Sequence, residues 1–272
     1  GLGRSEEVVG RAIAGRRDEV FIATKCSLVW DEGRTVGRGS LTEPYGRLKA
    51  QSVRLEVEAS LRRLKVEVID LYQIHWPNPD EDIEEAWGLI ADLIREGKVR
   101  YGGVSNFSLE QLQRVQAIHP VASLQPPYSM IVRGVEDELL AYCAAHDIGV
   151  IAYSPMQAGL LTGKFTRERV ASLPDDDWRK RNTHFQEPEL SANLALVEEL
   201  RPIAARRGKM VAQLAIAWVL RRPELTAAIV GARRPSQIGE TVTAGDWVLS
   251  AEDIAEVDAL LARREQVLKR EM

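Results

Sequence analysis

The sequence predicts an α/β fold, and within that class a (β/α)8 barrel, from three observations. Short runs of β-branched residues alternate with stretches of helical periodicity in six successive units, which indicates parallel strands joined by helical crossovers. The G-x-G-x-x-G turn that a dinucleotide-binding open sheet carries in its first βα unit is absent. Polar residues instead end several different strands, as they do at the catalytic face of a barrel.

The strands are predicted where β-branched and aromatic residues are concentrated, and the helices where apolar residues recur at helical spacing. The predicted strands run from Glu19 to Lys25, Val68 to His75, Val99 to Ser105, Ala122 to Gln125, Gly149 to Tyr153 and Thr226 to Val230. The predicted helices run from Ala50 to Leu64, Ile83 to Glu96, Leu109 to Ile118, Val135 to Ala145, Glu189 to Arg206, Val211 to Arg221, Pro235 to Thr241 and Ala251 to Arg264.

Eight βα units make a complete barrel, which is two more than the sequence shows. We therefore expect residues 1–272 to form a single barrel domain that is N-terminally incomplete as given, with its first two strands missing. Two long segments, Cys26 to Lys49 and Gly163 to Glu187, separate predicted elements at the C-terminal face. Connections of this length are usually functional lids or disordered, and these two are predicted to be lids.

The composition is that of a soluble globular protein, with 45% hydrophobic and 28% charged residues and no apolar run of membrane-spanning length. The start of the chain has neither the basic region nor the apolar core of a signal peptide, and its two cysteines cannot form a disulfide framework. A cytoplasmic location with reduced thiols is expected. A net charge of -4, with the arginines scattered among acidic residues, argues against a nucleic-acid or anionic-membrane partner, because such partners need a clustered basic excess.

Two ionisable residues end predicted strands at equivalent positions. In "FIATK" and "VIDLYQIH", strand alternation puts Lys25 and His75 at the end of the face that starts apolar. A lysine there lowers the pKa of an adjacent acid, and a histidine donates to a developing oxyanion. A hydrogen-bonded core histidine and a salt-bridged lysine are the simpler interpretations of each residue alone. Their pairing favours a catalytic site.

Other motifs are weaker. No H-E-x-x-H, C-x-x-C or G-x-S-x-G motif occurs, so we predict neither a metal site nor a serine hydrolase. "GLLTGK" (Gly159 to Lys164) is one residue too short for a P-loop, but its backbone and lysine suit a phosphate, with a plain turn as the alternative. "GARRPSQIGE" (Gly231 to Glu240) follows the last strand, where barrels often bind phosphate, with a solvated basic turn as the alternative.

In combination these motifs resemble one family over the whole chain, the aldo-keto reductases, and in particular its bacterial members and the branch related to potassium-channel β subunits. The matching stretches are "SEEVVGRAI", "VFIATK", "IDLYQIHWP", "GKVRYGGVSNF", "LQPPYS", "GVIAYSP", "GLLTGKF" and "IVGARRPSQIGE". The resemblance implies a (β/α)8 barrel that reduces aldehydes and ketones with NADPH and without metal.

The resemblance also implies roles for individual residues. Lys25 would lower the pKa of a catalytic tyrosine, His75 would orient the substrate carbonyl, and Trp76 would line the substrate pocket. Nicotinamide contacts are implied for Ser105, Asn106, Gln125 and Tyr153, pyrophosphate contacts for Ser154, Met156 and Lys164, and contacts towards the adenosine end for Gly231, Arg233, Ser236, Gln237 and Glu240. A guanidinium there suits a 2′-phosphate, so NADPH is expected rather than NADH. Thr241 departs from the family's usual asparagine.

A larger departure lies at the start of the chain. Family members carry an aspartate and the catalytic tyrosine in a D-T-A-x-x-Y-G segment, and Gly1 resembles the glycine directly after that tyrosine. We expect that the sequence is a fragment and that this tyrosine precedes Gly1; a truncated relative is the other interpretation. Tyr45, in the long segment after Lys25, is a candidate for the substrate pocket.

The predicted function is therefore NADPH-dependent reduction of a small-molecule aldehyde or ketone to an alcohol. A second hypothesis is a regulatory subunit that binds NADPH and senses it without significant turnover, since the family includes potassium-channel β subunits that bind NADPH and regulate a partner. A third, a phosphate-binding barrel isomerase, explains the stretch from Gly231 to Ser236 but not Ser105, Asn106 and Gln125.

Overall fold

The computed structural model describes residues 2–29 and 47–271. In these ranges the chain forms six β-strands and ten α-helices, with short 3-10 turns between them. The strands, β1 to β6, are Ala23–Cys26, Ile69–Ile74, Val99–Ser105, Ser123–Gln125, Gly149–Tyr153 and Leu225–Ile229. The helices, α1 to α10, are Arg4–Ala12, Ala50–Leu64, Ile83–Arg95, Leu109–Gln116, Leu139–Ala145, Arg167–Ala171, Glu189–Ala205, Val211–Leu220, Pro235–Val242 and Ala251–Glu271.

The chain divides into two compact units, and the first comprises Gly1–Pro126 and Ala141–Val150. Its strands β1 to β4 and the first residues of β5 pair in parallel, in the order in which they occur along the chain. Lys25 is opposite Gln73 across β1 and β2, and Ser105 is opposite Gln125 across β3 and β4. Parallel strands in chain order bring their carboxyl ends to one edge of the sheet, which positions the candidate site.

At the amino ends of the strands, opposite to the candidate site, a buried carboxylate joins the first three strands. Asp70 in β2 is 1% exposed and accepts hydrogen bonds from Arg17 Nη2 (2.8 Å), Ile22 N (2.7 Å) and Arg100 Nη1 (2.7 Å). A charge is stable in such a place only where opposite charges and donors surround it. Asp70 therefore holds the segment before β1, the start of β2 and the start of β3 together.

Two glycines in β3 allow close packing on both faces of the sheet. A Cβ on Gly102 would lie 2.9 Å from the side chains of Trp87 and Ile90 in α3, and one on Gly103 would lie 2.4 Å from Ser123 Oγ. Both distances are shorter than van der Waals contact. The "YGG" stretch thus lets α3 pack on one face of β3 and leaves room for polar side chains of β2 and β4 on the other.

The second unit comprises Pro127–Leu140 and Ile151–Met272. Here β6 is next to the end of β5 in the strand order, and α7 packs against α8 and α10. Arg264 of α10 donates to Asn193 Oδ1 of α7 at 2.6 Å, and Asn193 is fully buried. This polar contact fixes the register between two long helices.

The segment from Gly163 to Glu187, predicted as a lid, has secondary structure of its own. The segment contains α6 and two 3-10 turns, and it contributes to an apolar cluster of its own with neighbouring residues. The cluster consists of Leu160, Phe165, Val170, Phe185 and Leu190. The guanidinium of Arg169 lies 4.7 Å from the centroid of the Phe165 ring, which covers the cluster on one side.

Among the helices that the structure describes, none combines the length and the apolar character that crossing a bilayer requires. Both cysteines, Cys26 and Cys143, are buried free thiols.

Candidate active site

Lys25 and His75 line the same cavity in the first unit, at the carboxyl ends of the adjacent strands β1 and β2. The cavity has a volume of about 710 Å³, and Thr24, Glu56 and Arg63 also line it. Because His75 follows the last residue of β2, its backbone N–H still donates to the carbonyl of Cys26, at 3.2 Å. The two residues line one cavity but are not at equivalent positions across the sheet, since Lys25 is opposite Gln73 and His75 lies two residues further along.

Burial and charge set the protonation states of this pair. Burial, together with the positive charge of Lys25, lowers the pKa of His75 to about 4. Burial also lowers the pKa of Lys25 from its ordinary value. His75 is therefore neutral near pH 7, and a neutral imidazole carries one N–H that can donate to an acceptor.

Trp76 stands beside this pair and is 44% exposed. Its ring stacks against the ring of His75, with centroids 6.2 Å apart and planes inclined by 18°. An exposed apolar ring beside a few polar groups is a common feature of small-molecule sites. Tyr45, the other predicted pocket residue, lies outside the described residues.

The three residues predicted to hold a carboxamide form one hydrogen-bonded group in the first unit. Ser105 Oγ donates to the backbone carbonyl of Gln125 (2.7 Å), and Asn106 Nδ2 donates to Ser105 Oγ (3.2 Å) and to the carbonyl of His75 (2.9 Å). Gln125 Nε2 donates to Gln73 Oε1 at 3.1 Å. These bonds orient the amides, and they join the predicted nicotinamide contacts to His75, which directly follows β2.

In the second unit, the predicted pyrophosphate contacts follow β5 on a stretch of unusual backbone. Tyr153 ends β5, and φ is positive at Ser154 (56°), Gln157 (45°), Ala158 (53°) and Gly159 (101°). Left-handed residues of this kind are rare outside glycine, and here they form a tight turn in which the N–H of Gln157 donates to the carbonyl of Ser154 at 2.8 Å. Met156 O accepts from the N–H groups of Gly159 and Leu161, and Lys164 is exposed nearby.

The predicted adenosine contacts lie at the start of α9, also in the second unit. Arg233 and Ser236 are exposed, as are Gly231 and Glu240. Gln237 Oε1 accepts from the N–H groups of Arg233 (2.7 Å) and Arg234 (3.1 Å), so this side chain caps the helix as well as being a predicted contact. Thr241 Oγ1 donates to the carbonyl of Gln237 at 2.8 Å, within the same helix.

These donors fit the parts of a nicotinamide dinucleotide in each unit taken separately. The amides of Asn106 and Gln125 suit a carboxamide, while the cations of Lys164 and Arg233 suit phosphate groups. The predicted residues are thus chemically suited to such a cofactor.

Sequence reasoning missed Glu56, a partly buried carboxyl in the cavity of Lys25 and His75. Burial raises its pKa to about 7, although the N–H of Ser27, the hydroxyl of Ser52 and the charge of Arg63 oppose this. A signal was available, because Glu56 is on the helix face of Val53 and Val57, where the periodicity of α2 predicts apolar residues.

Comparisons with known proteins identify the family. The family model described as "Aldo/keto reductase family" matches residues 1–262. The chain is 38% identical to aldo-keto reductase YhdN of Bacillus subtilis (strain 168) over 267 residues. The aligned region covers 96% of this chain and 76% of the relative. The chain is 33% identical over 257 residues to the NADH-specific methylglyoxal reductase of Escherichia coli (strain K12), with 93% and 78% covered.

Two solved structures are also similar to this chain. The glycerol dehydrogenase of Gluconobacter oxydans superposes with a TM-score of 0.86 at 38% identity, over 96% of this chain and 78% of that one. The thermostable aldo-keto reductase Tm1743 superposes with a TM-score of 0.69 at 29% identity, over 95% and 78%. The match implies the (β/α)8 barrel of these enzymes, oxidoreductase activity on carbonyl compounds and a nicotinamide cofactor. This chain belongs to the aldo/keto reductase family.

Proposed function

We propose that this protein reduces a small aldehyde or ketone to an alcohol with NADPH, and that Lys25 and His75 are its catalytic residues in the described part of the chain. The observation that carries the proposal is their shared cavity at the ends of β1 and β2, where His75 is neutral near pH 7. A neutral imidazole can donate a hydrogen bond to a carbonyl oxygen without adding a charge to the site.

Each residue then has one task in the mechanism. His75 donates its N–H to the carbonyl oxygen and fixes the direction in which the substrate points. Lys25 stabilises the anion of a nearby phenol and so lowers the pKa of that acid. The proton donor in this proposal is the tyrosine that the family pattern places before Gly1. The bound cofactor supplies a hydride, which carries the reducing electrons.

Each group of cofactor contacts would likewise bind one part of the cofactor. Ser105, Asn106 and Gln125 would hold the carboxamide, and Tyr153 would cover the nicotinamide ring. Phosphate groups would be bound by Ser154, Met156 and Lys164, and the adenosine end by Gly231, Arg233, Ser236, Gln237 and Glu240. The exposed guanidinium of Arg233 supports NADPH, since it suits a 2′-phosphate. Because the Escherichia coli relative is named as an NADH-specific enzyme, the test of this protein compares NADPH with NADH.

The reaction is tested by following the loss of NADPH absorbance with a reactive aromatic aldehyde and with methylglyoxal, the latter because a relative is named for it. With NADPH deuterated at the transferred position of the nicotinamide, we expect deuterium on the carbinol carbon of the alcohol product. NADPH binding without consumption of either aldehyde would contradict the proposal and favour a sensing subunit.

A further inference from the structure

Ser27, which directly follows β1 and is hydrogen-bonded to the residue after His75, has an unusual backbone conformation. Ser27 is fully buried and has φ 84°, a left-handed value that is strained for any residue except glycine. Such a conformation persists only where the surroundings hold it in place. The contacts of Ser27 therefore show what fixes the backbone two residues after Lys25.

All three polar groups of Ser27 are bonded. Its N–H donates to Glu56 Oε2 at 2.9 Å, and its hydroxyl oxygen accepts from the N–H of Trp76 at 3.2 Å. Its carbonyl accepts from the N–H of Arg47 at 3.1 Å. The contact with Trp76 joins the end of β1 to the residue that directly follows His75, so the Ser27 turn, residues 26–28, sets the spacing of the two strand ends.

Glu56 holds this turn from α2. Its second carboxylate oxygen accepts from Ser52 Oγ at 3.4 Å, and its side chain lines the cavity that Lys25 and His75 share. Among the described residues, Arg63 of α2, Cys26 of β1 and Tyr72 of β2 interact electrostatically with Glu56. The other titratable or charged residues that line the same cavity are Glu6 of α1, Lys25 of β1, Arg47, Arg62 of α2 and His75.

We propose that Glu56 is a positioning residue for carbonyl reduction, which it serves by holding the Ser27 turn and thereby the spacing between Lys25 and His75. The inference rests on the proposed function of those two residues. A carboxylate accepts the Ser27 N–H more strongly than a neutral group does, because a charged acceptor roughly doubles the strength of a hydrogen bond. Ionised Glu56 therefore holds the turn tightly, and protonated or amide forms hold it loosely.

The ionisation state changes close to neutrality, because burial raises the pKa of Glu56 to about 7. We expect kcat of the wild-type protein to fall about fivefold as the pH drops from about 8 to about 6, since the difference between a charged and a neutral acceptor is worth about that factor. The Michaelis constant for NADPH should change little, because the cofactor contacts lie elsewhere.

The test compares Glu56→Gln with Glu58→Gln, a change in the same helix at a carboxylate that pairs with Lys98. Glu56→Gln keeps an acceptor of the same shape but cannot ionise. We expect its kcat to be about fivefold lower than that of wild type at about pH 8 and equal to it at about pH 6. The kcat of the variant should therefore not change between these two pH values. Glu58→Gln should retain the wild-type profile.

A second readout needs no turnover. In the wild-type protein, the amide proton of Ser27 and the ring protons of His75 should each show a chemical-shift step near pH 7 by nuclear magnetic resonance, and both steps should vanish in Glu56→Gln. If the protein proves inactive, the proposed function fails and these shifts still decide the role of Glu56. A wild-type Ser27 amide without the step, or a Glu56→Gln profile that keeps it, would overturn the inference.

Discussion

At the scale of single residues, burial decides the protonation state of His75. Its pKa lies below the ordinary value because the ring is buried and Lys25 is close. We expect the ring protons to titrate mainly near pH 4. The midpoint should rise in Lys25→Met, because the positive charge that helps to lower the pKa of His75 is removed. The measurement is a nuclear magnetic resonance titration of the His75 ring. A midpoint near the ordinary histidine value in the wild-type protein would contradict the described environment.

The stability of the protein should also depend on Glu56. Its pKa is about 7 in the folded protein and lower in the unfolded chain, so the folded state binds the proton more tightly. Stability from this group is present at low pH and is lost as the pH rises through about 7. The loss is at most on the order of 3 kcal/mol, less where solvent reaches the carboxyl.

Glu56→Gln removes that loss. Relative to wild type, the free energy of unfolding of the variant should increase between about pH 5.5 and about pH 8, whatever constant offset the amide introduces. Urea denaturation at the two pH values measures the change. A difference between variant and wild type that stays the same at both values would show that Glu56 does not titrate in this range.

Part of the candidate site could be predicted from the pattern of residues in the sequence, and part could not. That Lys25 and His75 line one cavity could be predicted, because they end neighbouring parallel strands and alternation puts each on the face that starts apolar. Ser27 and Glu56 could not be predicted as partners, since their contact joins a strand end to a helix 29 positions later in the sequence. A polar residue on an apolar helix face marks an unusual position, but it does not say which backbone group it binds.

At the scale of elements, the sequence predicted β3, β5 and α2 with the bounds that the structure has. Strong periodicity between turn residues makes such elements independent of distant contacts. Helix α1 was missed, although its stretch had been singled out as a motif. It begins after Gly3, whose φ is 83°, and no side chain caps it. Without a cap of the usual type, the sequence gives no clear start signal for this helix.

The last helix was predicted to end at Arg264, but α10 extends to Glu271. Its final turns carry few apolar residues, so the periodicity on which the prediction depended ends before the hydrogen bonding does. The short helix α6 was also missed, because Thr166 caps only five residues there. A single turn of helix in a charged segment has too little periodicity to predict.

The Asp70 contacts make an element-scale prediction. Asp70→Ala should lower the free energy of unfolding by about 3–5 kcal/mol, because Arg17 and Arg100 lose the carboxylate that pairs them and Ile22 N loses its acceptor. Asp92→Ala is the matched control, since Asp92 pairs with Arg95 at the surface and should change stability by less than about 1 kcal/mol. Chemical denaturation of both variants provides the comparison, and equal losses would contradict the role given to Asp70.

At the scale of the whole molecule, the prediction that residues 1–272 form one domain can be tested by calorimetry. A single domain unfolds in one cooperative transition, for which the calorimetric and van't Hoff enthalpies agree. We expect one such transition for this chain. Two transitions, each with its own enthalpy, would show that the units Gly1–Pro126 with Ala141–Val150, and Pro127–Leu140 with Ile151–Met272, unfold independently.

The choice of cofactor is a second property of the whole molecule. Arg233→Ala should raise the dissociation constant for NADPH by roughly tenfold or more and leave that for NADH nearly unchanged, because only NADPH carries the 2′-phosphate that the guanidinium would bind. Arg181→Ala, a change at another exposed arginine, serves as the control. Equal losses for both cofactors would contradict the assignment of Arg233, and tight NADH binding by the wild-type protein would contradict the expectation of NADPH.

Replacing Lys25 tests its proposed role in the chemistry of carbonyl reduction. The most direct measurement is the turnover of Lys25→Met with saturating NADPH and aldehyde, together with its NADPH dissociation constant by fluorescence, against wild type and Lys269→Met, a change at an exposed lysine of α10. We predict that Lys25→Met loses about 10²- to 10⁴-fold in turnover while its NADPH affinity stays within about twofold of wild type. Unaltered turnover in Lys25→Met would contradict the account.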